Sequence, residues 1–358
     1  MRTILVVGAG RIGRMAGHFL STCGDYRVRV IDPSEAALSW FAAHRPEIER
    51  VHGDVTDAKA LEAALSGAWA VLSCAPFHCN PGIAQQAKSA GVHYLDLTED
   101  VAVTKQVMAL AEGASTAFIP QCGLAPGFIA IAGRHLARGM DRIRELRMRV
   151  GALPRHPANM LGYNLTWSTA GLINEYLHPC EAIDGGEFTA VAALEGLERL
   201  VVDGVEFEAF NTSGGLGTLA ESLKGRADRV NYKTIRFPGH RDLVWFLLHE
   251  MGFAKDPEGM GALWEREVPT TDDDQVVVFV SASGLVEGRL VERTYARCIL
   301  HREFDGLPWT AIQITTAAGI CAVVDLLATG KLPTQGFVRM EDVEYTDFIA
   351  NRFGKHYA

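Results

Sequence analysis

The chain has 358 residues, which is enough for two domains with large apolar cores. Hydrophobic residues make up 48% of the chain and charged residues 22%, which excludes a disordered or fibrous protein. The net charge of -9 argues against nucleic acid as a partner, because a phosphate backbone calls for a basic surface.

Cysteine usage and hydropathy indicate a soluble protein of the cytoplasm. The seven cysteines are scattered and include no CxxC pair, which favours a reducing compartment and gives no ligand set for a metal. The longest apolar run, residues 315–324, falls short of the roughly 18 residues that a membrane span needs, so we expect no membrane partner.

The first third of the chain alternates short apolar runs with amphipathic segments. This alternation predicts βαβ units around a parallel sheet, and six strands make a Rossmann-type doubly wound α/β domain. The predicted strands are residues 4–7, 26–31, 49–52, 70–74, 93–97 and 117–121. One helix is predicted to open at residues 8–13 and run to about residue 20, and the others are residues 58–65, 82–90 and 101–111.

After residue 123 the pattern changes to long alternations typical of antiparallel strands. Residues 124–305 are therefore predicted to form an α+β domain that binds substrate and mediates homodimer formation. Helical patterns return at residues 309–328 and 341–353. We expect both to pack on the first domain, which then comprises residues 1–123 and 306–358.

A glycine motif follows the first predicted strand directly. Gly8 permits a tight turn, Gly10 lets the backbone approach a pyrophosphate, and Gly13 lets the helix pack on the strand. Arg11 and Ile12 lie between these glycines, at a helix N-terminus whose N–H groups suit phosphates. The motif predicts a bound dinucleotide.

Asp32 ends the second strand, where its carboxylate accepts hydrogen bonds from ribose hydroxyls and repels a 2′-phosphate. This position favours NAD over NADP, although Asp32 also suits a helix N-cap. Asp54 is a candidate for adenine contact or for another cap. Ala75 and Pro76 follow the fourth strand, at the edge where the nicotinamide ribose is expected.

Three further side chains lie at or just after the ends of strands at this same edge. Asp96 is the first candidate for the acid/base or ammonium-binding group, and Glu99 competes with it. Asp96 is alternatively a cap for the next helix. Cys122 is interpreted as a packed or cofactor-facing residue rather than a nucleophile, and Pro126 is predicted at the first position of a helix.

The second domain must bind the rest of the substrate. A basic cluster of Lys233, Arg236, His240 and Arg241 suits a carboxylate, with His240 and Arg241 preferred and a charged surface as the alternative. The other candidate pocket residues are Asn164, Trp167 and Glu175.

These motifs resemble the saccharopine dehydrogenase family, which shares the glycine motif, the Tyr94-x-Asp96 strand end and the turn CGLAPG at residues 122–127. The segments GLINEYL (171–177), GGLGTL (214–219) and KTIRFPGH (233–240) are similar to its lysine 6-dehydrogenase branch. The resemblance implies NAD-dependent oxidative deamination of the terminal amine of L-lysine, which gives 2-aminoadipate 6-semialdehyde and ammonia. The semialdehyde then cyclises.

Two alternatives remain open at this point. One is another C–N oxidoreductase of the same family, acting on saccharopine, carboxynorspermidine or a further amino acid or diamine. The other is a non-enzymatic dinucleotide sensor whose cleft serves a partner protein, although the polar residues expected in the cleft argue for an enzyme with a small-molecule substrate.

Overall fold

The computed structural model describes residues 1–358 and divides them into two compact units. Unit 1 comprises Met1–Ile131 and Gln313–Ala358, and unit 2 comprises Ala132–Ile312. The chain leaves unit 1 inside one helix and returns to it inside another. The boundaries expected at residues 123 and 306 lie several residues before the observed ones at 131 and 312. The sequence does not reveal the observed boundaries because composition does not change inside a continuous helix.

The first part of unit 1 alternates strands and helices throughout. Its elements are β1 (Arg2–Val7), α1 (Arg11–Thr22), β2 (Tyr26–Asp32), α2 (Glu35–His44), β3 (Glu49–His52), α3 (Ala58–Leu65), β4 (Ala70–Ser73), α4 (Asn80–Ala90), β5 (His93–Asp96), α5 (Val101–Ala111) and β6 (Ala117–Ile119).

Unit 2 is built around one mixed sheet. Its helices are α6 (Phe128–Leu136, which begins in unit 1), α7 (Thr169–Leu177), α8 (Leu219–Leu223), α9 (His240–Trp245) and α10 (Pro257–Glu267). Its strands are β7 (Arg142–Pro154), β8 (Cys180–Asp184), β9 (Glu187–Val191), β10 (Glu198–Val202), β11 (Val205–Asn211), β12 (Ala227–Arg236), β13 (Asp274–Val286), β14 (Arg289–Leu300), β15 (Arg302–Phe304) and β16 (Leu307–Trp309).

The main path of this sheet runs β10-β11-β12-β7-β13-β14, with β8 and β9 attached to β12. All pairs are antiparallel, as predicted, except that β12 pairs with β7 in parallel. The chain between β7 and β12 is long enough to return to the same end of the sheet, which permits the parallel pair.

The last part of the chain adds α11 (Ala311–Ala328), β17 (Gly336–Phe337) and α12 (Tyr345–Ala350). The sheet of unit 1 has seven strands in the order β17-β6-β5-β4-β1-β2-β3, and every neighbouring pair is parallel. The predicted doubly wound fold is thereby confirmed, with one more strand than expected. The helix expected at residues 341–353 is interrupted, because Asn351 accepts from the backbone N–H of Phe353 at 2.9 Å.

Helix α11 is long and apolar enough to cross a membrane by length and composition, but 83% of it is buried inside the protein. It extends past the apolar run seen in the sequence at both ends. This burial is typical of a core helix. Gly319 makes the packing close, because a Cβ there would lie 2.5 Å from the carbonyl oxygen of Cys122.

Asp325 of α11 fixes the C-terminal segment to unit 1. Its carboxylate, 5% exposed, accepts from Tyr26 Oη at 2.6 Å, Asn351 Nδ2 at 2.7 Å and Arg352 Nη2 at 2.6 Å. Burial opposes ionisation, but the hydrogen bonds from Arg352, Tyr26 and Asn351 hold the pKa of Asp325 below its usual value. The carboxylate is thus charged and accepts three hydrogen bonds.

Candidate cofactor and substrate sites

The glycine motif forms a turn from β1 into α1 whose shape leaves one side open. Gly8 has a φ of 98°, which other residues rarely adopt. A Cβ on Gly13 would lie 1.9 Å from the carbonyl oxygen of Gly8, whereas a Cβ on Gly10 would meet nothing within 4 Å. The first turn of α1, where Arg11 is exposed and Ile12 partly exposed, has no side-chain cap and no acidic residue. Its N–H groups therefore suit the pyrophosphate of a dinucleotide.

Asp32 connects the end of β2 to this turn. One carboxylate oxygen accepts from the backbone N–H of Ala9 and the other from that of Ser34, each at 2.7 Å. The interpretation of Asp32 as a helix N-cap was wrong, because Ser34 caps α2 by accepting from Ala37 N. A carboxylate has about four acceptor sites, so Asp32 retains capacity for ribose hydroxyls.

Arg14 was not recognised in the sequence because it lies on α1, outside the motif. Its Nε donates to the carbonyl of Ala9 at 3.1 Å, and its guanidinium lies 5.4 Å from the ring of Trp40. Burial lowers the pKa of Arg14, and the negative charge of Asp32 opposes that shift. Asp32 accepts from the N–H of Ala9 and Arg14 donates to its carbonyl, so both backbone polar groups of Ala9 are hydrogen-bonded.

The other residues predicted to contact the cofactor follow β3 and β4. Asp54 is exposed and closes a turn by accepting from the N–H and the hydroxyl of Thr56, both at 2.8 Å, which lowers its pKa. Ala75 and Pro76 follow Cys74, whose carbonyl oxygen would lie 3.0 Å from a Cβ on Gly8. The Ala75–Pro76 loop therefore lies next to the glycine turn.

Asp96 is completely buried and has a structural set of partners. It accepts from Tyr94 Oη at 2.7 Å, from Thr98 N at 2.9 Å and from Gln121 N at 3.0 Å. Burial raises its pKa although these hydrogen bonds favour the charged form. This geometry favours a role for Asp96 in joining the ends of β5 and β6 over direct contact with a substrate. Asp96 is also not the helix cap, because Asp100 caps α5.

Glu99 has the properties that were expected of Asp96. It lies just after β5, is only partly buried, and its carboxylate accepts from its own backbone N–H. Burial raises the pKa of Glu99, and the nearby charges of Asp100 and Asp96 raise it further. Of the two predicted carboxylates, Glu99 is the better candidate for binding an ammonium group and accepting its proton.

Cys122 is packed in the interior, so the prediction that it contacts cofactor is not supported by its placement. It is 0% exposed, and its thiol donates to the carbonyl of Ile119 at 2.9 Å. Burial raises the pKa of the thiol well above its ordinary value, which excludes a thiolate nucleophile at neutral pH. The following turn also differs from expectation, because α6 begins at Phe128 rather than at Pro126.

The residues of the predicted basic cluster of unit 2 do not all lie together, because two of them are on strand β12 and point to opposite faces. Successive side chains of a strand point to opposite faces, so Lys233 and Arg236 lie on opposite faces of the sheet. Lys233 forms an ion pair of 2.7 Å with Glu198 and also donates to the carbonyl of Gly196. Burial lowers its pKa, and Glu198 opposes that shift. Lys233 is therefore used within the protein.

His240 and Arg241, the two preferred carboxylate ligands, are also occupied. His240 is 0% exposed, and burial together with Arg236 lowers its pKa to about 3, so the ring is neutral. Its Nδ1 donates to the carbonyl of Leu161 at 2.9 Å. Arg241 donates to the carbonyl of Leu194 at 2.8 Å and pairs with Asp242 at 3.0 Å. Neither geometry fits a substrate ligand.

Arg236 lies in a buried polar cluster with two tyrosines. Its Nε donates to Tyr176 Oη at 3.0 Å, and its Nη1 donates to Thr234 Oγ1 at 2.7 Å and to the Ile235 carbonyl at 2.8 Å. The guanidinium lies 5.0 Å from the ring of Tyr163. Since Nε2 of the neutral His240 is an acceptor, Tyr176 donates to it at 3.1 Å.

A separate groove of about 910 Å³ lies on unit 2 between α7 and α10. Its lining is mostly apolar and includes none of the candidate pocket residues Asn164, Trp167 and Glu175. Arg236 does not line it, but Tyr176 belongs both to this groove and to the buried polar cluster.

The open glycine turn before α1 and the carboxylate of Asp32 at the end of β2 define a dinucleotide-binding domain. Residues 4–119 match the saccharopine dehydrogenase NADP binding domain, and residues 123–356 match the saccharopine dehydrogenase C-terminal domain. The chain therefore belongs to the saccharopine dehydrogenase family, a family of nicotinamide-dependent oxidoreductases that act on C–N bonds of amino acids. The resemblance found in the sequence is confirmed at this level.

One solved structure agrees with this fold, and a second is similar at a lower score. The apo form of saccharopine dehydrogenase (L-Glu forming) from Saccharomyces cerevisiae is similar with a TM-score of 0.79 and 16% identity, over 98% of this chain and 97% of that one. A DAP dehydrogenase of C. glutamicum in complex with DAP has a TM-score of 0.49 and 11% identity, over 96% and 93% of the two chains.

Proposed function

We propose that the protein is an NAD-dependent L-lysine 6-dehydrogenase. L-Lysine, NAD⁺ and water give 2-aminoadipate 6-semialdehyde, NADH, ammonium and a proton, and the semialdehyde then closes to the cyclic imine with loss of water. The single observation that carries the proposal is Glu99, a partly buried carboxylate of raised pKa at the end of a strand in the dinucleotide-binding sheet. The motifs at residues 171–177, 214–219 and 233–240 support lysine as the substrate.

Glu99 has two successive tasks in this proposal. The ε-amine of lysine is protonated at neutral pH, because its pKa is about 10.4, and an ammonium group cannot donate a hydride from its carbon. Glu99 first holds this ammonium group and then accepts its proton, and a base whose pKa lies closer to the operating pH does this better. When bound, the nicotinamide accepts the hydride from C6.

Asp96 supports Glu99 indirectly. By accepting from the N–H groups of Thr98 and Gln121, it fixes the segment that carries Glu99 between β5 and α5. Its negative charge also contributes to the raised pKa of Glu99. We therefore assign Asp96 a positioning role.

The choice of NAD over NADP is part of the proposal. The matching family model is named for NADP binding, whereas Asp32 carries a negative charge at the end of β2. A carboxylate at this place binds the 2′- and 3′-hydroxyls of NAD and repels the phosphate of NADP. Asp32 therefore argues for NAD in this particular chain.

Replacing Asp32 with asparagine is expected to narrow the NAD/NADP ratio of kcat/KM at least about tenfold, because the repulsive charge is removed. The amide oxygen still accepts one backbone N–H, so the glycine turn is kept. The control Asp57→Asn changes an exposed cap of α3 and leaves the ratio unchanged. An unaltered ratio in Asp32→Asn removes Asp32 from the ribose site.

The substrate is tested by measuring NADH and ammonia together for L-lysine, saccharopine, L-ornithine and cadaverine. The proposal predicts NADH from L-lysine with one equivalent of ammonia. Saccharopine is included because the similar yeast structure is a saccharopine dehydrogenase. Oxidation of saccharopine without ammonia would instead establish the second candidate, a dehydrogenase for secondary amines.

A further inference from the structure

Gln121 follows β6 in a backbone conformation that is unfavourable for a residue with a Cβ atom. Its φ is 64°, in the left-handed region that glycine adopts freely. The residue is only 4% exposed, so it does not belong to a surface turn. Residues in this conformation persist where the surrounding contacts hold them there, and such positions cluster at functional sites. The hydrogen bonds of Gln121 show which part of unit 1 it holds.

The backbone of Gln121 is attached to the start of the Glu99 segment, which we define as residues 97–103. Its N–H donates to Asp96 Oδ1 at 3.0 Å, and the same oxygen accepts from Thr98 N at 2.9 Å. The next residue, Cys122, donates its N–H to the Asp96 carbonyl at 2.8 Å. Asp96 and Thr98 are both buried, so these bonds fix the chain immediately before Glu99.

The side chain of Gln121 is attached to the other end of this segment. Its Nε2 donates to Thr104 Oγ1, in helix α5, at 3.1 Å. Thr104 donates its own hydroxyl proton to the carbonyl of Asp100 at 2.9 Å, so its oxygen can only accept from the glutamine. This requirement orients the Gln121 amide, with the nitrogen and not the oxygen facing the helix.

Glu99 lies between these two attachments. The hydrogen bond to its carboxylate comes from its own backbone N–H, so the place of the side chain depends on the backbone that carries it. Asp96 on one side and Thr104 on the other are both bonded to Gln121, and all three are buried. Misplacement of a reacting group by about 1 Å can lower a rate about 100-fold, so a base needs a supporting contact of this kind.

We propose that Gln121 is a positioning residue for Glu99, which it keeps in place by bonding to Asp96 through its backbone and to Thr104 through its side chain. The catalytic consequence rests on the proposed function, whereas the two attachments do not depend on the reaction. The unfavourable φ of Gln121 is the conformation in which one residue makes both bonds.

Two substitutions remove the same hydrogen bond from opposite sides. Gln121→Met keeps the length of the side chain and the backbone N–H but has no donor, and Thr104→Val keeps the branched shape but has no acceptor. We expect each to lower kcat for L-lysine about tenfold, with NAD affinity within about threefold of the wild type. The double variant should be no slower than either single variant, because the bond can be lost only once.

The pH profile separates positioning from a general loss of structure. Burial is the main cause of the raised pKa of Glu99, so a looser segment that admits water should lower this pKa. Asp96 and Asp100, whose charges also raise it, remain in both variants. The acidic limb of kcat should therefore move to lower pH in Gln121→Met and in Thr104→Val.

Thr22→Val is the matched control for Thr104→Val. Thr22 also donates its hydroxyl to the carbonyl four residues earlier, that of His18 at 2.8 Å, but its side chain bonds only within its own helix. Its removal should leave kcat and the acidic limb as in the wild type.

Hydrogen exchange measured by mass spectrometry tests the attachments without the reaction. In the full chain with NADH, peptides covering residues 97–104 should exchange about tenfold faster or more in Gln121→Met, in Thr104→Val and in the double variant, but not in Thr22→Val. If this is found while the wild type oxidises none of the amines tested, the proposed function is wrong and the attachments stand. Unchanged exchange of these peptides, additive losses of kcat in the double variant or an unmoved acidic limb would overturn the role of Gln121.

Discussion

Replacing Glu99 with glutamine is expected to lower kcat for L-lysine by about 100-fold or more, the usual contribution of a positioned general base. Glutamine has the same shape and still accepts hydrogen bonds, but it cannot accept the proton of the ε-ammonium group. NAD affinity should stay within about threefold, because the glycine turn and Asp32 are unchanged. Steady-state kinetics with L-lysine, together with NAD titration, measure both quantities.

The role of Glu99 as a base also predicts how activity depends on pH. The carboxyl of Glu99 acts as a base only when deprotonated, and burial raises its pKa, so activity should increase as the pH rises through that raised value. Glu99→Gln should lose this acidic limb. Asp100→Asn is the matched control, because Asp100 is the neighbouring carboxylate and caps α5 through Oδ1, which asparagine retains. Similar losses in both variants, or high activity in Glu99→Gln, would contradict the role of Glu99.

Replacing Asp325 with alanine is expected to lower the free energy of unfolding by about 2–4 kcal/mol, because a buried carboxylate that accepts three hydrogen bonds is lost. The variant takes the acceptor from Tyr26 and Asn351, while the partly exposed guanidinium of Arg352 keeps Asp25 as its remaining carboxylate partner. Urea unfolding monitored by fluorescence and circular dichroism measures the loss.

Asp347→Ala is the control for Asp325→Ala, because Asp347 pairs with Lys331 at 3.3 Å on the exposed surface. Such a pair contributes about 0–1 kcal/mol, so the control should change stability little. The pKa of Asp325 is lowered in the folded protein, so its stabilisation is present above about pH 4 and decreases as the pH falls through the lowered value. A loss in Asp325→Ala no larger than that of Asp347→Ala would refute the account of this cluster.

Most strands and helices from β1 to β6 in unit 1 could be predicted closely from the sequence. Strands β1 to β6 and helices α1, α3, α4 and α5 end within two residues of their predicted bounds, because apolar period, capping residues and glycine turns agree there. The roles of Gly8, Gly10 and Gly13 also followed from their spacing, since each depends on local backbone geometry.

Contacts between distant segments could not be read in this way. Asp96 ends β5 and Glu99 follows it. Asp96 accepts from the backbone N–H of Gln121, which lies after β6, and the sequence did not show this contact. In unit 2, the sequence groups Lys233 with Arg236. Successive side chains of β12 point to opposite faces of the sheet, so Lys233 and Arg236 are separated. Lys233 forms an ion pair with Glu198 of β10.

Transfer of deuterium tests the central claim most directly, because it identifies the carbon that loses its hydride. L-Lysine labelled with two deuteriums at C6 is incubated with enzyme and NAD, and the NADH is analysed by mass spectrometry. L-Lysine labelled at C2 is the control. The account predicts singly deuterated NADH from the C6-labelled substrate and unlabelled NADH from the C2-labelled one. Deuterium from C2, or unlabelled NADH from the C6-labelled substrate, would contradict oxidation at the terminal amine.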